Sequence, residues 1–224
     1  MDITTEQVPA LMPQRIKFSR GIRAAATVVS IVFHPLFIPV YLSAFLIYIN
    51  PLFPAFDPAE KLILLIRFVV MYTVFPLATI LLAKALGFVQ TIFLKTQRDR
   101  IIPYVACGLY YFWMWYVLHN QPALGNEVVL LALAIFLASS GGLLANSYLK
   151  VSMHAISVGV MATYMLLLGF LLPASLGFYI SIGFLIAGTV CTARLVLSDH
   201  HPVEVYLGLI IGVLAQLIAY FFVY

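Results

Sequence analysis

Apolar and polar positions in this chain separate by whole segments. After a polar, basic stretch to about residue 23, seven apolar runs follow, over roughly 24–50, 61–86, 101–118, 126–147, 152–172, 176–193 and 202–224. Each run holds about 18 residues or more, which at ~1.5 Å per residue suffices for a tilted or slightly short helix across a hydrocarbon core of ~30 Å. The separators read as turns: Asn50-Pro51, Pro54 to Pro58, Asn120 to Pro122 with Gly125-Asn126, and Pro173. No linker divides the runs, so the pattern predicts one domain over 1–224, an all-α polytopic transmembrane helix bundle of six to seven spans. The first run starts too late and is too long for the apolar core of a cleavable signal, and it contains His34-Pro35 and Pro39. It is expected to be a kinked first span.

Composition agrees. The chain has 224 residues, 64% of them hydrophobic, and a mean hydropathy of +1.08; soluble domains hold about 45–50% apolar residues. Cys107 and Cys191 both lie inside apolar runs, without metal-ligand spacing or a disulfide framework. The net charge of +4 is spread over segment ends with no long basic run, so nucleic acid is not an expected partner.

Few charges remain to be placed, and their positions narrow the function. If all seven runs span, parity gathers Lys95, Arg98, Arg100, Lys150, Ser152, His154, Arg194, His200 and His201 at one membrane face. Asp57, Glu60, Lys61 and Glu127 fall at the other. Ionisable groups kept beside lipid are costly and mark function unless they snorkel at an interface. The cationic face suits an anion such as a phosphomonoester, whose oxygens must be held by forked or point-charge donors during in-line attack. Lys95, Arg100, Ser152 and Arg194 are the candidate phosphate ligands. Ser152 opens the fifth run, where a hydroxyl and free backbone N–H groups meet the positive end of a helix dipole. His154, in the same turn, suits proton donation to a leaving alkoxide.

Three short spans stand out by their spacing: Lys95 to Pro103, Ser152-Met153-His154, and Arg194, five residues, His200, three residues and Glu204. In this order they resemble a weakened first motif, the second motif and the third motif of the type 2 phosphatidic acid phosphatase superfamily. The departures are Ile102 for the first-motif Arg, Val151 and Met153 for Pro and Gly, Ala193 for Ser, and Glu204 for Asp. Arg100 or Arg98 would then replace the missing guanidinium. The resemblance implies that His200 is the nucleophile, forming a phosphohistidine, with His154 as general acid. Glu204, about one turn from His200, would orient it as Asp orients His in a Ser-His-Asp triad. No cofactor or metal is expected. The expected substrate is a lipid phosphate drawn from the surrounding membrane lipids; phosphotransfer to another hydroxyl, or anionic-lipid binding or transport without catalysis, are the alternatives.

Plainer readings exist for each group. Arg194 to Glu204 also fits an interfacial loop with a capping Glu, and Lys95, Arg98 and Arg100 a positive-inside loop. His34 reads as a packed or interfacial histidine and His201 as a neighbour of the site. Arg15, Lys17, Arg20 and Arg23 favour a cytoplasmic N-terminus, and with it a cytoplasmic site. Many bacterial relatives, the resemblance implies, act on the outer face of the inner (plasma) membrane.

Overall fold

The computed structural model describes residues 18–49, 56–91, 94, 96–121, 123–197 and 200–224. Among them every regular element is helical, and six helices are long and apolar enough to cross a membrane. The chain is a multi-pass membrane protein.

The first apolar run departs from the expected single kinked span. It forms two short helices, α1 (Arg20–Val32) and α2 (Ile38–Ala44), the latter prolonged by a π turn over Phe45–Ile49. Pro35 has no N–H to give and disfavours helical geometry at His34, so the break falls where the chemistry requires it. Local bonds satisfy the interrupted backbone: the Tyr41 hydroxyl donates to the Val32 carbonyl at 2.8 Å, and the Leu36 N–H to His34 Nδ1 at 3.3 Å. The Ser19 hydroxyl caps α1 by accepting from the Ile22 N–H, so the helix starts before the apolar run does.

The next span is one continuous helix over Pro58–Ala85, made of α3 (Pro58–Val69), a π turn (Val70–Val74) and α4 (Phe75–Ala85). Asp57 and Glu60 form a reciprocal capping box at its start. The π turn immediately precedes the Phe75-Pro76 step and accommodates the missing proline N–H. Thr73, within that turn, donates its hydroxyl to the Leu36 carbonyl at 2.8 Å and ties this span to the break in the first segment.

Four spans remain beyond α5 (Gln97–His119): α6 (Asn126–Asn146), α7 (Met153–Leu171), α8 (Gly177–Val196) and α9 (Pro202–Val223). Thr96 caps α5, accepting from the Asp99 N–H at 3.1 Å. Arg98 and Arg100 therefore stand on helix rather than in a loop, and Pro103 lies inside α5 rather than ending regular structure there. The α6 and α7 helices are the most buried, and α9 packs on both. Glycines permit that approach: a Cβ on Gly212 would collide with the Ile156 carbonyl, and one on Gly159 would lie 2.5 Å from the Leu209 carbonyl.

Chain direction puts the ends of these helices in two sets. At one end Glu127 meets the C-terminus of α9, its carboxylate accepting from Tyr224 at 3.4 Å. The other end holds the starts of α5, α7 and α9 and the end of α8. The break after α1 also comes there, because the Ser30 carbonyl lies 3.0 Å from His154 Nε2.

Candidate functional site

At this second end the helices surround a cavity of about 940 Å³. Arg100 from α5, Lys150 from the turn before α7, His154 from α7, Arg194 from α8 and His200 from the α8–α9 turn all line it. Arg23 and His34 reach the same wall from the first segment. Four cations thus face one space. Cations gathered around one concave space focus a positive potential into it, which suits an anionic group.

His200 has the most specific geometry. Its Nδ1 lies 3.0 Å from Glu204 Oε2 and 3.0 Å from the Lys150 carbonyl. Both partners can only accept, so Nδ1 carries the proton and Nε2 keeps its lone pair. The same Glu204 oxygen accepts the His201 N–H at 3.1 Å, so it caps α9 and orients His200 together. Burial pulls His200 below the ordinary imidazole value. The Glu204 hydrogen bond works against that fall, and the Arg100, Arg194 and Lys150 charges add to it.

His154 is fixed differently. A carbonyl accepts only, so His154 donates its Nε2–H to Ser30, leaving Nδ1 as the second site for a proton. The Ser30 hydroxyl accepts from Arg194 Nη1 at 3.4 Å, and the His34 ring meets the His154 ring edge-on with centroids 5.3 Å apart. One buried serine from the first segment thus touches both a cation and a histidine of the cavity.

Arg100 and Arg98 separate cleanly. Arg100 is buried, donating from Nε to the Leu94 carbonyl at 2.9 Å and from Nη1 to the Val151 carbonyl at 2.7 Å. It braces the turns on either side of the cavity while putting its charge in the wall. Arg98 is exposed and borders a smaller cleft with Gln97 and Asn146.

Ser152 and Glu204 do not line the cavity. Ser152 is fully buried, and its hydroxyl caps α7 by accepting from the Ala155 N–H at 3.4 Å. Its N–H donates to the Glu204 carbonyl at 3.0 Å, joining the starts of α7 and α9 beneath His200. A Cβ on Gly208 would lie 2.7 Å from the Ser152 carbonyl, which explains the glycine after Glu204. Lys95 lies outside the described residues, while His201 is exposed at the start of α9.

Residue spacing gave no sign of Ser30, His34 or Arg23 as wall residues. The one usable signal was His34-Pro35, an ionisable group at a helix break inside an apolar run. No family model, no curated protein and no solved structure matches this chain.

Proposed function

We propose that the protein is a membrane-embedded lipid phosphate phosphatase working through a phosphohistidine. The observation that carries the reading is a histidine with a bare Nε2, backed by a carboxylate, on the wall of a cavity lined by four cations. The sequence likeness to the phosphatidic acid phosphatase motifs points to the same residues.

In this reading the phosphate rests against Arg100, Lys150 and Arg194, near the positive end of α7. His200 Nε2 attacks phosphorus in line, and the bond from phosphorus to the lipid oxygen breaks. The negative charge of the bound phosphate favours a second proton on His154, which gives its Nδ1 proton to the leaving oxygen while Ser30 keeps hold of Nε2–H. Glu204 stabilises the positive charge that develops on His200. Water then attacks the phosphohistidine, His154 takes the proton, and inorganic phosphate leaves with His200 restored.

Ser152 has a structural part in this scheme, as the cap that sets the α7 start. Lys95 remains a proposed phosphate ligand from its place in the sequence and from the resemblance. A bacterial inner membrane as the location also rests on the resemblance alone.

The test is phosphate release by purified protein from a panel of lipid phosphomonoesters and pyrophosphates. Release that disappears in His200→Ala supports the reading. Anion binding with no release from any member, and no transfer to an added alcohol, overturns it in favour of a non-catalytic lipid-binding protein.

A further inference from the structure

The cavity continues far below its cationic end. Its lining descends α5 from Arg100 past Cys107 to Tyr111, a drop of roughly 16 Å at ~1.5 Å per residue, and its lower wall adds Leu42, Ile135 and Val160. That drop is about half of a ~30 Å hydrocarbon core, the depth of one leaflet. Leu42, Ile135 and Val160 there are apolar and buried, and Tyr111 beside them is buried too, so water gains few partners there while a hydrocarbon finds van der Waals contact.

The chamber also opens sideways. Thr27 and Ile31 of α1 and Leu77 of α4 line it while remaining exposed on the outer surface. Among the described residues the opening lies beside the break at His34-Pro35, with α1 packed on α8 and α4 on α5.

We infer that the chamber binds the hydrocarbon tail of an anionic lipid, which enters from the bilayer between α1 and α4 with its phosphate at the cationic end. The inference rests on the phosphatase reading only for the identity of the headgroup. The occupant is a lipid because the charge lies at one end and the apolar depth directly below it. A free phosphate would use the mouth and leave the chamber unfilled.

The experiment uses the full chain in nanodiscs with a hexadecylphosphonate carrying a photoactivatable diazirine midway along its chain. A phosphonate is not hydrolysed as an ester, so binding is read without turnover. Irradiation followed by peptide mapping should place at least fivefold more adduct on chamber residues such as Leu42, Cys107, Tyr111 and Val160 than on outward-facing Leu185 and Phe221. Excess unlabelled hexadecylphosphonate should cut the chamber adducts about tenfold, and inorganic phosphate alone should displace less. Adducts confined to outward-facing residues, or chamber adducts indifferent to the unlabelled lipid, overturn the inference. Phosphate release with outward adducts only would retain the phosphatase and discard the chamber. Specific chamber adducts without release from any lipid would do the reverse.

Discussion

His200 concentrates the chemistry at the residue scale because a single proton position decides whether it can attack. Two acceptors at Nδ1 hold the tautomer, and the net downward shift keeps the ring neutral to a pH below its ordinary value of about 6.5. The acidic limb of kcat/KM assigned to His200 should therefore lie below pH 6.5. Glu204 raises the His200 value, so Glu204→Gln should move that limb to still lower pH. The same change should lower the plateau by a factor on the order of 10², the scale of acid–base assistance. A full pH–rate profile checks both; a limb moving upward would show that Glu204 does not support the imidazolium.

The two arginines of α5 give a second contrast at this scale. Arg100→Ala should reduce kcat/KM on the order of 10²-fold and also lower the melting temperature, since it removes two bonds to turn carbonyls as well as a charge. Arg98→Ala should stay within about twofold of wild type, because that side chain is exposed away from the cavity. Kinetics and thermal unfolding on the same preparations separate these outcomes. The local spacing of Arg194, His200 and Glu204 was legible in the chain because a helix end and a helix start force neighbours in sequence to be neighbours in space. Ser30 and His34 were not legible as site residues. Their partners Arg194 and His154 lie more than a hundred residues away, and no pattern within α1 marks the contact.

At the scale of elements, the seam between α7 and α9 determines how His154 and His200 face each other. Gly212→Ala would press a methyl against the Ile156 carbonyl. Forcing the helices apart should cost about 1–3 kcal/mol, the range for overpacking, and reduce turnover because α7 carries one histidine and α9 follows the other. Gly177→Ala, where an added Cβ meets nothing within 4 Å, should be close to neutral. Thermal unfolding in one detergent compares them; equal melting temperatures would mean the seam has slack. Hydropathy revealed the six long spans because apolar length is nearly sufficient for a membrane helix. It missed the helical setting of Arg98, Arg100 and Pro103. A proline tolerated inside a helix looks the same in sequence as one that ends it. The π turn before Pro76 was equally invisible, since it follows from how backbone strain is shared along the span.

Across the whole molecule, alternation of the six long spans brings the starts of α5, α7 and α9 to the end of α8, and α1 of the broken first segment packs against α8 beside them. Parity along the sequence anticipated the gathering of cations at one face. It did not anticipate the cavity, because the depth of a void depends on side-chain packing between helices distant in the chain. The proposed charge stabilisation comes from Arg100, Lys150 and Arg194, so turnover should survive a chelator at full rate. Loss on chelation with recovery by one divalent ion would require a different mechanism.

The central claim is a covalent intermediate on His200, and trapping it is the most direct measurement. Protein mixed with a lipid substrate labelled in its phosphate and quenched in alkali should carry label that is stable to base and released by acid, the behaviour of a phosphorylated imidazole. The label should be present in wild type, near wild-type levels in His201→Ala, and absent in His200→Ala. Turnover with no label in any of these proteins, or label that persists in His200→Ala and vanishes in His201→Ala, would contradict the account.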